Sequence, residues 1–129
     1  MSTGTHQLRL HLLRGRYSLC RLPATAGVPA WAVGELVSVT RTRDELSIIC
    51  DEAAVPAGAQ QVTGYVAIGV EGPLAPDVVG ILASMAQPLA EAGIPIVAIG
   101  TFETDYVLVR AVDLDHALLT LRQAGHTIA

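Results

Sequence analysis

The stretch GIPIVAIGTFETDYVLVR, residues 93–110, carries the strongest structural signal in the chain. Its Ile and Val runs end in Gly and Thr and suit strands, because branched side chains pack well on a pleated surface. The stretch predicts two short buried strands around a hairpin that presents Thr101, Phe102, Thr104 and Asp105 together. A polar cluster beside one aromatic ring suits the binding of a small polar molecule, and it contains no evident nucleophile.

Helical patterns flank this hairpin. Before it, a buried helical stripe is predicted from four residues, Val78, Leu82, Met85 and Leu89. Asp77 is the expected N-cap of that helix, Pro88 lies inside it and Gly93 ends it. After the hairpin, residues 113–124 predict a second helix, and residues 126–128 are expected to close the sheet. Residues 65–71 alternate as a strand.

The hydrophobic pattern repeats at an offset of about 60 positions, which places Val39 on Ile99 and Ile49 on Val109. The repeat predicts an α+β fold of two ferredoxin-like βαββαβ modules, residues 1–62 and 63–129. The first module is expected to be degenerate, since Pro23, Pro29 and several glycines disfavour a long helix there. Residues 17–22 alternate instead as a strand.

Composition narrows the class of protein. Of 129 residues, 51% are hydrophobic and 16% charged, which favours burial of some apolar surface against a partner chain. A membrane span is disfavoured because Pro88, Glu91 and Pro95 interrupt the most apolar region. The N-terminal residues lack the apolar run of a signal peptide, so a cytoplasmic protein is expected.

The charge distribution and the spacing of possible metal ligands argue against nucleic-acid binding and metal binding. Residues 1–43 hold six arginines and one acid, and residues 44–129 hold two arginines and eleven acids. Because the net charge is −4 and there is a single tryptophan, no nucleic-acid partner is expected. Cys20 and Cys50 are interpreted as small core residues. The four histidines lack ligand spacing, so no metal or cofactor is predicted.

Residues 88–94, 101–110 and 113–114 resemble the ACT-domain family. The most similar branch has paired ACT modules and includes the cytosolic arginine sensor CASTOR and short bacterial relatives. Residues 36–40 and 45–52 show a weaker resemblance. The resemblance implies a non-catalytic amino-acid sensor or regulatory module, with the ligand held between ACT modules of a homodimer.

Six residues are the candidate ligand-binding set: Gly80, Ile81, Thr101, Phe102, Thr104 and Asp105. The resemblance places Gly80 and Ile81 at ligand-contacting backbone, whose N–H groups suit a carboxylate; alternatively, Gly80 only permits close packing. Asp105 is an acceptor for an ammonium group or a turn aspartate bonded to its own backbone. The threonines are donors or ordinary strand residues, and Phe102 is a ligand wall or core.

Enzymatic interpretations rank below binding. The chain contains no Gly-x-Ser-x-Gly motif, no Walker-type loop and no paired carboxylates. Asp113 and Asp115 lie two apart at a predicted helix start, which is typical of capping. The alternative to an amino-acid sensor is a structural dimerisation module without a ligand.

Overall fold

The chain folds into two units with separate apolar cores. The computed structural model describes residues 6–129. Arg14–Tyr65 form the inserted unit, and the described residues up to Leu13 join Val66–Ala129 in the discontinuous unit. The predicted module boundary between residues 62 and 63 stays a prediction.

Eight strands and two α-helices form within the described residues. In chain order these are β1 (Arg9–Leu12), β2 (Tyr17–Leu22), β3 (Ser38–Arg41), β4 (Leu46–Asp51), β5 (Gln61–Val70), α1 (Ile81–Glu91), β6 (Val97–Gly100), β7 (Asp105–Arg110), α2 (Leu114–Gln123) and β8 (Thr127–Ile128). Single 3₁₀ turns, Glu52–Ala54 and Ala111–Asp113, come after β4 and β7. The α+β class predicted from the sequence is confirmed.

The discontinuous unit has the strand order β6-β7-β5-β1-β8. Its run β5-α1-β6-β7-α2-β8 is the predicted βαββαβ plan. β1 is an addition to that plan: it lies antiparallel to β5, with Leu10 opposite Val70, and parallel to β8, with Leu10 opposite Ile128. The two helices pack their apolar residues on the sheet residues of one core.

The second helix agrees closely with its sequence pattern. Asp113 is the N-cap residue of α2, and Ala117 and Leu121 are fully buried. Leu114 and Leu118 are half-buried and pack against the same core. A regular apolar stripe without glycine or proline therefore predicted this helix to within one residue at each end.

The predicted start of the first helix is wrong. Asp77 is not its N-cap, because α1 begins at Ile81 and Gly80 occupies the cap position with a φ of 86°. That left-handed conformation is accessible mainly to glycine. Before it, the Val78 N–H donates to the Ala75 carbonyl at 3.1 Å in a separate turn. The later end of α1 was correctly predicted, since Gly93 comes after it with a φ of 76°.

The predicted buried stripe of α1 is partly wrong as a consequence. Met85 and Leu89 are fully buried, but Val78 and Leu82 are 41% and 39% exposed. Val78 precedes the helix and does not share its face, while Ile81 takes the core position that the prediction gave to Leu82. Because the helix was predicted to start three residues too early, the helical spacing selected the wrong residues of the first turn.

The inserted unit has the strand order β3-β4-β2-β5, with β5 contributing its first residues. β2 has the bounds that the alternation predicted. The core contains Cys20, Leu46, Ile48 and Cys50, with Trp31 packed against them. No α-helix occurs among the described residues 14–65, in agreement with the prediction of a degenerate copy.

The two β-hairpins correspond at an offset of 59 positions rather than 60. In the inserted unit Arg41 pairs with Leu46, and in the discontinuous unit Gly100 pairs with Asp105, each across a four-residue loop. Val39 therefore corresponds to Ala98, and not to Ile99 as the hydrophobic pattern predicted. A shift of one residue exchanges the two faces of a strand, so the difference decides which side chains are equivalent.

Candidate functional site

The turn between β6 and β7 is fixed by one threonine. The Thr101 N–H donates to the Thr104 carbonyl at 2.8 Å, and the Thr101 hydroxyl donates to the same oxygen at 3.0 Å. The Thr104 N–H in turn donates to Thr101 Oγ1 at 3.2 Å. Side-chain bonds of this kind stabilise tight turns, and this one sets Asp105 at the first position of β7.

The segment after β5 is held against this turn. Leu74 N–H donates to the Glu103 carbonyl at 2.6 Å, and the Thr104 hydroxyl donates to the Val70 carbonyl at 2.6 Å. A Cβ on Gly72 would lie 3.0 Å from the Glu103 carbonyl oxygen, so glycine permits this close approach. The hairpin and the segment leading to α1 are therefore parts of one local structure.

A cavity of about 160 Å³ lies between the hairpin turn, the segment before α1 and the start of that helix. It is lined by nine residues: Leu74, Ala75, Pro76, Val78, Ile81, Thr101, Phe102, Thr104 and Asp105. An apolar protein cavity of roughly 150 Å³ holds benzene. The space thus suits one small molecule.

Five of the six sequence-predicted site residues line this cavity, and Gly80 does not. Gly80 instead supplies the left-handed residue at which α1 begins. Its structural role accounts for a glycine at this position without a ligand. That the other five residues bind a ligand stays a prediction.

The hydroxyl groups of the cavity are acceptors rather than donors. Thr101 and Thr104 each use their hydroxyl hydrogen on a backbone carbonyl, so their oxygens present lone pairs only. Asp105 is half-buried, and the single ion pair among residues 6–129 joins Arg9 and Glu71. Since none of the nine lining residues is basic, this side of the cavity favours a ligand that donates hydrogen bonds or carries positive charge.

The start of α1 supplies the opposite polarity. The first N–H groups of a helix have no acceptor within the helix, and they carry the positive end of its dipole. The Gly80 cap position provides no side-chain hydrogen bond to this N-terminus. Because Ile81 is the first helical residue and lines the cavity, the site combines an acidic hairpin with an electropositive helix start.

Phe102 lies at the rim of the cavity. Its side chain is 86% exposed, which rules out the alternative that it fills the core. Val78 and Val79 lie before the helix and are also exposed. An exposed aromatic ring beside exposed valines is costly in water and is typical of a surface that becomes covered.

Four lining residues were missed by the sequence prediction: Leu74, Ala75, Pro76 and Val78. Only Val78 had been assigned to the helix, because Asp77 resembles an N-cap, and the other three precede that predicted start. The available signal was the clustering of Gly72, Pro73 and Pro76, which favours an irregular segment over a helix.

A second, larger hollow of about 450 Å³ lies in the inserted unit. Its polar groups already bond to the protein: Arg21 Nη2 donates to the Asp44 carbonyl at 3.0 Å, and Gln61 Nε2 donates to the Pro56 carbonyl at 3.2 Å. The Gln61 side-chain oxygen accepts from the Ser18 hydroxyl at 2.6 Å. These polar groups of the hollow are committed to the unit's own structure.

Other classes of site find little support in the described residues. Burial raises the pKa of the Cys20 thiol, and it raises the pKa of the Cys50 thiol to about 11, so neither is an activated nucleophile. Within residues 6–129 no group of three His, Cys, Asp or Glu side chains is arranged to hold a metal ion. In the same range, neither α-helix has the length and apolar character needed to cross a bilayer.

The family comparison divides the chain in two. Residues 61–123 match the ACT domain, and residues 15–58 match a family described as an N-terminal domain. The curated proteins contain no significant match to this sequence.

Solved structures extend the likeness to almost the whole chain. Protein Atu0741 from Agrobacterium tumefaciens is 39% identical with a TM-score of 0.92, over 97% of this chain and 94% of that one. VC0802 from Vibrio cholerae, described as a possible transport protein of unknown function, is 22% identical with a TM-score of 0.74, over 92% and 91%. The ligand-free regulatory subunit of aspartate kinase from Thermus thermophilus is 14% identical with a TM-score of 0.59, over 84% and 91%. The last two show likeness of fold.

Proposed function

The chain belongs to the family represented by Atu0741 and carries an ACT domain at residues 61–123, and on that premise we propose that it is a non-catalytic regulatory protein that binds an amino acid. The ligand occupies the cavity of the discontinuous unit. The single observation that carries the proposal is that Asp105 and Ile81, the first residue of a helix without a side-chain cap, line the same cavity of about 160 Å³.

A zwitterion matches this pair of groups. Its ammonium group donates to Asp105 and to the lone pairs of the two threonine hydroxyls, which have no hydrogen left to give. Its carboxylate accepts from the first N–H groups of α1, where the helix dipole favours negative charge. A nucleotide lacks the ammonium group, and a single anion gains nothing from Asp105.

The size of the cavity favours a small amino acid. A volume near that of a benzene-sized cavity accommodates the common backbone atoms and a short side chain. Arginine, the ligand of the paired-ACT sensor that the sequence resembles, exceeds this space unless its side chain extends past the rim. The ligand is therefore expected to be smaller than arginine.

The ligand-bound form is proposed to be a homodimer. Phe102, which lines the cavity, is 86% exposed, and Val79, which comes directly before the N-cap of α1, is 80% exposed. A second copy of the ACT domain would cover them. The resemblance to paired ACT modules implies the same arrangement. A cytoplasmic location and the absence of a nucleic-acid partner stay sequence predictions.

A structural dimerisation module is the second candidate, and the same exposed rim favours it. In that case the apolar residues alone drive association, and the cavity holds only water. The two candidates differ in their response to ligand and in the role of Asp105.

Thermal unfolding of the pure protein against each of the twenty amino acids and a set of nucleotides separates them. A ligand at 100 times its dissociation constant adds about 2.7 kcal/mol to the free energy of unfolding, which raises Tm by several degrees. We expect one or a few small amino acids to give this shift. The mass in solution, recorded for each sample, reports dimerisation.

Two matched variants control the experiment. Asp105→Asn keeps the shape of the site and is expected to abolish the shift. Glu103→Gln removes an exposed acid from the same turn that does not line the cavity, and is expected to leave the shift intact. A flat panel from a stable dimer contradicts the sensor and supports the structural module.

A further inference from the structure

Helix α1 contains a proline whose effect falls on a buried residue. Pro88 has no N–H, so it cannot donate to the carbonyl four residues earlier, which is that of Ser84. Ser84 is buried, with 8% of its surface exposed. A buried carbonyl that loses its helical donor costs free energy comparable to a lost hydrogen bond unless another donor replaces it.

The replacement donor is His126, which lies just before β8. Its Nε2 is 2.8 Å from the Ser84 carbonyl oxygen. Its Nδ1 accepts the N–H of Leu8 at 3.0 Å. Because a backbone N–H can only donate, Nδ1 holds a lone pair and the ring proton is on Nε2. The imidazole is therefore neutral, in one tautomer, and buried at 3% exposure.

The same helix turn is bonded to the segment before β1. The His6 N–H donates to Ser84 Oγ at 3.0 Å, and the Ser84 hydroxyl donates to the Gly80 carbonyl at 2.7 Å. His6 Nε2 lies 2.7 Å from the Val79 carbonyl oxygen. Residues 79–84, which include the cavity-lining Ile81, are thus attached to residues 6–8 both directly and through His126.

We propose that His126 is a positioning residue of the candidate site: its Nε2–H supplies the hydrogen bond that Pro88 withholds from Ser84, and its Nδ1 fastens that helix turn to the segment that enters β1. A proline inside a helix lets one helix carbonyl accept a hydrogen bond from a neighbouring element. In an uninterrupted helix, that carbonyl would accept from an N–H of the same helix. Only the relevance to ligand binding rests on the proposed function, since the bonds exist without a ligand.

A double-mutant cycle between positions 88 and 126 tests this inference. His126→Asn keeps an acceptor at the position of Nδ1 and removes the Nε2–H. Pro88→Ala restores the N–H that residue 88 lacks, at a position where alanine is a good helix former. We expect His126→Asn to lower the equilibrium ratio of folded to unfolded protein at least tenfold with Pro88 present, and threefold or less in the Pro88→Ala background. Equal losses in both backgrounds overturn the inference.

Two spectroscopic measurements separate positioning from simple packing. The imidazole ¹⁵N shifts of His126 are expected to show the neutral Nε2–H tautomer, and an Nδ1–H tautomer or an imidazolium contradicts the proposal. Amide exchange in the first turn of α1 is expected to become at least tenfold faster in His126→Asn, while the Leu8 amide stays protected. Should His126→Asn fail to fold, His126→Gln, which keeps a donor near Nε2, gives the reverse pattern: a protected helix turn and an exposed Leu8 amide.

The outcome is independent of the ligand search. A non-additive cycle with a flat amino-acid panel supports the positioning of α1 and rejects the sensor. An additive cycle rejects the role of His126 even if an amino acid binds.

Discussion

The two β-hairpins of this chain share one turn and differ in the residue that comes directly after it. In the inserted unit Thr42 N–H donates to the Glu45 carbonyl at 2.9 Å, and Glu45 N–H donates to Thr42 Oγ1 at 3.2 Å. Thr101 and Thr104 make the corresponding bonds at 2.8 and 3.2 Å in the discontinuous unit. The next residue, however, is Leu46 in one hairpin and Asp105 in the other.

This one position separates a core from a candidate site. Leu46 is fully buried in the cluster that contains Ile48 and both cysteines. Asp105 is half-buried and lines the cavity. Opposite them, Arg41 in the first hairpin corresponds to Gly100 in the second, where a Cβ would lie 3.5 Å from the Asp105 carboxylate. The same backbone thus supports apolar packing in one copy and places a carboxylate at a cavity in the other.

The largest loss of stability is expected when Leu46 of the inserted unit is replaced by aspartate, the residue at the corresponding position 105. Leu46→Asp places a carboxylate in a fully apolar position and removes a packed side chain. We expect the free energy of unfolding, measured in urea at pH 7, to fall by about 4 kcal/mol or more.

Leu46→Asn has the same shape without the charge and should lose less at pH 7. The two variants should converge as the aspartate is protonated at low pH. The reciprocal change, Asp105→Leu, is expected to alter stability by less than about 1 kcal/mol, because position 105 is not part of a packed core. Equal losses at positions 46 and 105 would contradict the contrast between the hairpins.

An intermediate loss of stability is expected at alkaline pH. It should arise in the inserted unit, because both cysteines of the chain belong to that unit. Cys50 has a pKa of about 11 against an ordinary value of 9.0, because burial disfavours the thiolate. The folded protein therefore keeps a proton that the unfolded thiol has lost, and the stabilisation present below pH 9 is lost as the pH rises toward 11.

The loss at pH 11 amounts to about 2 kcal/mol. It is measured as the pH dependence of urea unfolding in the wild type and in Cys50→Ala, which removes the thiol and should flatten that dependence. An unchanged slope in Cys50→Ala would show that the thiol is not responsible. A uniform drop in stability at all pH values reflects only the lost packing.

The smallest loss of stability is expected when the threonine that bridges each hairpin turn is replaced. Thr42→Val and Thr101→Val each remove the hydroxyl that bridges the turn, and each is expected to cost about 1 kcal/mol in urea unfolding. The Thr101 variant should lose more, because its hydroxyl donates at 3.0 Å and that of Thr42 at 3.5 Å. Thr40→Val, on the exposed part of β3, is the control and should change stability by less than about 0.5 kcal/mol.

Regular periodicity explains which parts of the fold were predictable. The strands of the hairpin at residues 93–110 and the helix α2 were found because each has a regular pattern of apolar residues. The start of α1 was not, since Gly80 adopts a left-handed conformation that no apolar pattern encodes, and Asp77 resembles a cap. The repeat was found with a one-residue error, because hydrophobic runs align less strictly than the turn threonines Thr42 and Thr101.

The part of the candidate site whose residues are adjacent in sequence was predictable. Residues 101–105 are adjacent in sequence, so their meeting at one turn followed from the hairpin. The partners of His126 are 42 and 118 positions away, and nothing in the local pattern of a histidine near the last strand indicates them. Contacts of this kind depend on the completed topology of the sheet.

The position of β1 between β5 and β8 has a consequence for synthesis on the ribosome. Strand β1 is synthesised before the inserted unit, yet its neighbour β8 and the ring of His126 are synthesised after every other strand of the discontinuous unit. The inserted unit, Arg14–Tyr65, contains its own strand pairs and can assemble while the rest is still being translated. The discontinuous unit can complete its sheet, and secure α1 at the candidate site, only once residues 126–128 are available, so the candidate cavity forms after the inserted unit has folded.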